Sequence, residues 1–486
     1  MTLRHSDERE FPEVAGSEAT EEELRALPLE ALVEIIVQQR ETIRSLRDRI
    51  TELEREIAQH NKPRKTSRNS SLPPSKEHKP NRKNKANPKK KRGPRVGHPG
   101  RSRTRSEPDV VVKCCPSHCS ACDADLQDVE PMLVGVNQVI DIPPVRPTVV
   151  EAHRYSVICP ACHHQESAAY PVGMEPERVF GNGIESLVNY LHQEHHIGYA
   201  RLESLLGEAF GLSVSEGALV NMIQRGATRL EPKAEEIRDQ VRNSAVVGSD
   251  ETGARVDGLN WWQWVFQTEQ ASYHIIVPRR SSQAIDTALG DAEPEVWVSD
   301  LWSAQLKHPA KQHQICIPHQ LRDLQYAIDA DRCAFAYRLQ QLFLRAKRLS
   351  EHRDTLPAAH YQRQVAAIEA ACDALLNQPV ASEWGRNLQR RYRKHRASLF
   401  VFLYRPDVPF DNNGSERDLR NSVVHRKVSG GFRSEWGAAA YATTVSVLQT
   451  AKKLGKPILA TLQASIGPPL PILTTDPLML RHHFFP

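Results

Sequence analysis

The sequence predicts a multidomain α+β protein with an N-terminal coiled coil, a cysteine-paired zinc ribbon, a helical region and an α/β core carrying a helical insertion. Three observations predict it. Apolar residues recur at heptad spacing from Leu32, two Cys-x2-Cys pairs follow, and a series of short β-branched runs then gives way to a long helical pattern. The 486 residues are enough for two or three domains, while 40% hydrophobic and 6% aromatic content suggest that part of the chain stays unpacked. The net charge of +5 hides an asymmetry, because Glu21, Glu22 and Glu23 belong to an acidic lead (1–31) and a strongly basic block follows. No apolar run approaches the roughly 18 residues of a membrane span, and no leader peptide is apparent. The protein is expected to be soluble and intracellular.

The coiled coil is expected over 32–60. Leu32, Ile36, Gln39, Ile43, Leu46, Ile50, Leu53 and Ile57 step by three and four, with Glu41, Arg47, Glu54 and Arg55 between them. β-Branched residues at one seam position and mostly Leu at the other favour a parallel homodimer. The competing reading is an amphipathic helix docked on its own domain. Residues 61–108 read as a disordered basic linker: apolar residues are nearly absent, and Lys89, Lys90, Lys91 and Arg92 form a run suited to DNA phosphates.

The zinc ribbon is expected over 109–172. Cys119 with Cys122 and Cys159 with Cys162 can each place two thiolates on one side of a tight turn, and two such knuckles complete a tetrahedral site for a structural Zn²⁺. Cys114, Cys115, His118, His163 and His164 crowd the site, and the runs at 132–134, 139–142 and 148–150 read as strands. The helical region (173–240) places a Gly211–Ser215 turn between two helices, with Ser215 as the cap of the second. It reads equally as a helix-turn-helix or an ordinary helical hairpin.

The core is expected over 241–455, with its helical insertion at about 330–400 and a tail at 456–486. Strand-like runs lie at 245–247, 261–266, 273–277, 296–299 and 314–317. Three consecutive strands that can meander, a fourth strand, a fifth and then helices match a ribonuclease H-like core. Asp250 and Asp300 sit at the ends of two of these strands, and Glu416 opens a helix after an Asn-Asn-Gly turn. Three converging carboxylates are hard oxygen ligands suited to two Mg²⁺ or Mn²⁺ ions, although single Asp residues also close turns. Arg417, Arg420, Arg426 and Lys427 follow Glu416 closely and suit contact with DNA phosphates. Asn412 and Asn413 read as turn and cap residues. Trp261, Trp262 and Trp264 are more at home packed on a strand than stacked on bases.

These motifs together resemble the transposases of the insertion-sequence-66 family, bacterial enzymes of the Asp-Asp-Glu type. The likeness runs from about Leu32 to Pro457 through NSSLPPS, GPRVGHPG, the Cys pairs, Gly211 and Ser215, SDET at Asp250, SDLW at Asp300, HQICIPHQLRD and DNNGSERDLRNSVVHRKVSGGF. It implies that Asp250, Asp300 and Glu416 are catalytic metal ligands. It further implies cleavage at the inverted repeats of a transposable element and transfer of the freed 3′-OH into target DNA. No nucleotide cofactor is needed, and no GxxxxGK[ST] loop is present. Cys316-x2-His319 is similar to a signature after the second Asp in related transposases, so His319 is a catalytic candidate beside its reading as a buried structural histidine. The chain departs from the family at SDLWSAQ, where Gly and Tyr are more usual after the second Asp. Two other readings retain the same residues: a catalytically inactive DNA-binding relic or repurposed regulator, and a nuclease that cuts without joining.

Overall fold

The computed structural model of the protein describes residues 25–60, 62–70, 104–176 and 178–470. The acidic lead before residue 25, Lys89, Lys90, Lys91 and Arg92 of the basic block, and the last sixteen residues of the tail lie outside them. The chain divides into two compact units, one formed by residues 1–77 with 317–406 and the other by 78–316 with 407–486.

In the first unit, the heptad segment is one helix, Leu29–His60. Its apolar seam stays exposed, with Ile36 at 51%, Ile43 at 50% and Ile50 at 55%, so among the described residues it is not covered by its own chain. The first unit also holds the helices Ile317–Asp331, Ala334–Glu351, Ala358–Asn377 and Glu383–Lys394, the last three within the expected insertion at about 330–400. Phe343 anchors them, packing edge-on against Tyr392 and Phe400. Residues 62–70 depart from the expected free linker. They form a turn in which Asn69 is buried and its Nδ2 donates to Asp329 Oδ2 at 2.9 Å. A polar side chain with so many local partners can order a segment that has almost no apolar residues to bury.

The second unit contains a small hairpin, β1 (Ser156–Ile158) antiparallel to β2 (Gln165–Ser167), and a five-stranded sheet. Its strands are β3 (Val246–Val256), β4 (Leu259–Gln267), β5 (Ser272–Val277), β6 (Val296–Ser299) and β7 (Gln312–Ile315). The spatial order is β5-β4-β3-β6-β7, with β3, β4 and β5 an antiparallel meander and β6 and β7 added in parallel. β4 alternates as a two-faced strand should: Trp264 and Phe266 enter the main apolar core with Trp297, Ile285 and Leu448, while Gln263 points to the helix bearing Ser422. Trp261, Trp262 and Trp264 are thus strand residues, and Trp264 is a core residue.

Three expected boundaries move. β3 does not stop before Asp250 but continues to Val256, because β4 pairs with it from Gly248 through Val256. β7 ends at Ile315, since Ile317 already opens the next helix. The expected ribbon strands at 132–134, 139–142 and 148–150 do not form. Pro143, Pro144 and Pro147 remove ladder donors there, and side chains such as Val134 and Val149 face solvent. Part of the expected tail, Ile458–Ile466, is a helix that buries Leu462 and Ile466.

In the helical region, the helices Asn182–Asn189, Tyr199–Phe210 and the start of Glu216–Arg242 enclose a core of Val188, Leu202, Leu206, Leu219 and Met222. Gly211 takes the left-handed conformation at φ 65° that ends the second helix, and Ser215 Oγ accepts the Ala218 N–H at 3.3 Å. The last helix then runs on, placing Leu230, Ile237 and Val241 in the core shared with the sheet.

Candidate active site

Parallel register brings the first two acids together. β3 pairs with β6 through Val246↔Val296 and Val247↔Trp297, and the ladder ends at Gly248↔Val298. Asp250 and Asp300 therefore both lie two residues beyond the last paired couple, on adjacent strands where the sheet opens. β4 still holds the Asp250 backbone opposite Val265, so the acid projects from a supported strand rather than a free loop.

Glu416 comes from above, on the first turn of the helix Asn413–Ser429. The sequence suggested that Asn412 caps this helix, but its side chain makes no cap bond. Asn412 is buried; its Nδ2 donates to the Ser249 carbonyl at 2.7 Å, and its Oδ1 accepts the Ser415 hydroxyl at 2.7 Å. Its own N–H donates to Cys316 Sγ at 3.3 Å, and its carbonyl accepts the Glu416 N–H at 3.2 Å. One residue thus joins the backbone just before Asp250, the end of β7 and the first turn of the Glu416 helix. The approach is close. A Cβ on Gly248 would stand 2.4 Å from Gln267 Nε2 and 3.1 Å from Ser415 Oγ, which explains glycine at that strand position. The helix cap falls instead to Asp411, whose Oδ1 accepts the Asn413 N–H at 3.0 Å.

The electrostatics follow from this crowding. Burial pushes the Asp250 carboxyl up to about 8, helped by the charges of Asp300, Glu251 and Glu416 in that order. The three expected acids therefore share one electrostatic neighbourhood, though their oxygens do not all lie within 4.8 Å of one another. Like charges without a counterion keep apart.

A fourth carboxylate was missed. Glu251 is raised by burial, drawn down by Arg280 and raised again by Asp300. Arg280 Nε donates to Glu251 Oε1 at 2.8 Å, and a second guanidinium nitrogen pairs with the same oxygen. The Arg280 guanidinium also lies over Trp262 and Trp302, with its central carbon 5.0 and 4.4 Å from the ring centres. Gln305 Nε2 adds a bond to Glu251 Oε2 at 3.2 Å. Trp302 is part of the SDLW departure, so this chain uses that position to tie the Asp300 loop to Arg280. The signal was present in SDET as the acid after Asp250, but its partner lies on a different strand connection.

Of the expected cations on the Glu416 helix, Arg417, Arg420 and Lys427 are exposed. Arg426 folds back over β3, its Nη1 reaching Thr252 Oγ1 at 3.4 Å. His319 stands on the first turn of Ile317–Asp331, half-buried and three residues past the buried Cys316.

The two Cys knuckles are formed and share one geometry. The Cys119 carbonyl accepts the Asp123 N–H and the Cys159 carbonyl accepts the His163 N–H, each at 2.9 Å, with positive φ at Asp123 and His163. Backbone N–H groups, chiefly of Ala121 and Cys162 respectively, hold the Cys119 and Cys159 thiols below their ordinary value. Soft thiolates in this setting fit Zn²⁺. Among the described residues neither pair has a third ligand gathered within 4.8 Å, so the expected tetrahedron is not closed. Four thiolates repel one another until a cation offsets their charge.

Among the described residues no helix is long and apolar enough to cross a membrane. Residues 116–163 match the zinc-finger binding domain of transposase IS66. A 68-residue stretch is 43% identical to the uncharacterized protein y4jO of Sinorhizobium fredii (strain NBRC 101917 / NGR234), covering 14% of this chain and 21% of that protein. The chain thus spans about a fifth of the length of that relative. Residues 177–440, more than half of the chain and including all four carboxylates, match the Transposase IS66 family, and the protein belongs to that family.

Proposed function

We propose that the protein is a DNA transposase of the Asp-Asp-Glu type, cleaving at the ends of its element and joining the freed 3′-OH to target DNA. The observation that carries this reading is the shared register offset of Asp250 and Asp300, with Glu416 held over them through Asn412. The strand order, a three-stranded meander extended by two parallel strands, supports a ribonuclease H-like core. The donor set suits two Mg²⁺ or Mn²⁺ ions, since all its ligands are hard oxygens and Asp250 is crowded enough to stay protonated to about 8 without a cation. When bound, such ions supply Lewis-acid stabilisation to the attacking and departing oxygens of a phosphodiester.

The residues themselves have separable tasks. Asp250, Asp300 and Glu416 hold the cations, and Arg280 keeps Glu251 occupied beside them. Arg417, Arg420 and Lys427 present charge to DNA phosphates, Arg426 steadies β3, and the run Lys89, Lys90, Lys91 and Arg92 adds sequence-independent affinity. His319 is retained as a proton-transfer candidate on its sequence motif alone. Cys119, Cys122, Cys159 and Cys162 bind a structural Zn²⁺, and the exposed seam of Leu29–His60 pairs with a second copy.

The test is a labelled duplex carrying the element's end, incubated with Mg²⁺ or Mn²⁺. Asp250→Asn, Asp300→Asn and Glu416→Gln should each abolish cleavage and leave binding of the end intact. A variant that still cuts removes its residue from the site. Joining of the cut end to plasmid DNA distinguishes a transposase from a nuclease.

A further inference from the structure

The NSSLPPS and HQLRD motifs remain largely without a task in this scheme, and Asn69 of the first lines the same cleft as Leu321 and Arg322 of the second. Asn69, 3% exposed, is the centre of a folded turn. Its Oδ1 accepts the Thr66 N–H at 2.7 Å, its Nδ2 donates to the Arg64 carbonyl at 3.2 Å, and the Ser70 hydroxyl donates to the Thr66 carbonyl at 2.6 Å. The same Nδ2 donates to Asp329 Oδ2 at 2.9 Å across a gap of 260 residues, joining the turn to the helix Ile317–Asp331. Asp329 is itself held: Gln325 Nε2 donates to its other oxygen at 2.8 Å, and Gln340 Nε2 donates to Gln325 at 3.0 Å.

Beside this latch lies an open cleft of about 750 Å³. Three guanidinium side chains line it, Arg64 and Arg68 from the turn and Arg322 from the helix, together with the hydroxyl residues Thr66 and Ser67. Asp329 is the only acid among its lining residues, and both its oxygens accept bonds from amide groups. Arg64 and Arg68 are exposed, so their charge is presented to solvent. Guanidinium forks suit phosphodiester oxygens.

We infer that the latched turn and Ile317–Asp331 form a binding site for the phosphate backbone of duplex DNA, irrespective of sequence. Asn69 is its positioning residue, converting the start of the basic segment from a loose tether into a fixed cationic wall. The choice of DNA as the polyanion rests on the transposase reading above.

The test uses the full chain and fluorescence anisotropy, with an element-end duplex and an unrelated duplex titrated over a range of KCl. Arg322→Gln and Arg68→Gln should each weaken both duplexes alike and reduce the salt slope by about one. Asn69→Asp faces Asp329 with a second carboxylate and should reduce the slope by about two, as Arg64 and Arg68 detach together. Adding Asp329→Asn to Asn69→Asp returns a donor to the pair and should restore the slope. Hydrogen exchange over 62–70 without DNA should rise in Asn69→Asp and fall back in the double variant, a readout independent of binding. Wild-type salt slopes in Arg322→Gln and Arg68→Gln overturn the site while end cleavage leaves the transposase reading standing. A double variant that stays open and weak overturns the latch. If the unaltered protein binds neither duplex, the DNA reading itself fails.

Discussion

At Asp250, burial and three neighbouring carboxylates favour the neutral form, and the cation proposed there would favour the charged one. Its position therefore depends on neighbours that carry no charge. Asn412 is the clearest of them, because its amide donates to the carbonyl immediately before Asp250 while its backbone supports Glu416. Asn412→Asp keeps the shape and the bond from Ser415 but removes the donor to Ser249. We expect end cleavage at saturating Mg²⁺ to fall by about 100-fold, the effect of shifting a catalytic group by roughly an ångström. Binding of the end should stay near its unaltered value. Loss of cleavage only in proportion to loss of folded protein would reduce Asn412 to a packing residue. That asparagines shape the turn was readable from Asn-Asn-Gly; that one of them bonds a strand 163 residues earlier was not, because no local pattern encodes that partner.

At the scale of elements, the Glu416 helix and the helix Glu435–Lys453 meet the meander through polar contacts. His274 on β5 bonds Gln263 at 3.2 Å and Ser272 at 3.1 Å, and Gln263 donates to Ser422 at 2.8 Å. Burial, reinforced by the Lys453 charge, pulls His274 down to about 3. Burial, with the charges of His192 and His196, does the same to His425 on the Glu416 helix. Each imidazole is held neutral in the fold, so between about pH 6.5 and 3 the unfolded chain binds more protons and stability falls as pH falls. Each site can contribute up to about 1.4 kcal/mol per pH unit in that window. Over urea midpoints at pH 7.5, 6.5 and 5.5, any decline with falling pH should be shallower in His425→Asn than in the unaltered protein, a difference from which the opposing contribution of Asp250 cancels. An equal decline in that variant would remove His425 from the cause. The run from Trp261 to Phe266 announced a strand, but not that its Gln263 face would receive a helix.

At the scale of the whole molecule, the 32-residue helix Leu29–His60, about 48 Å long, leaves its apolar seam half exposed at Ile36, Ile43 and Ile50. Such a seam on a helix bearing charges elsewhere is the surface that a parallel partner covers. Sedimentation should give a dimer for the full chain, and Ile43→Asp combined with Ile50→Asp should halve its mass. A monomeric unaltered protein would sink the pairing.

Sequence by itself determined the parts with local periodicity or fixed ligand spacing: the heptad helix, the two Cys knuckles, the Gly211–Ser215 turn and the strand runs of the core. Those features depend on contacts within a few residues, which spacing records directly. Tertiary structure alone decided that β3 runs through Asp250, that Glu251 is committed to Arg280, that Asn412 reaches Ser249 and that Asn69 closes on Asp329. Each of those rests on a hydrogen bond or ladder between distant segments, and such a bond exists only once folding has placed both partners side by side.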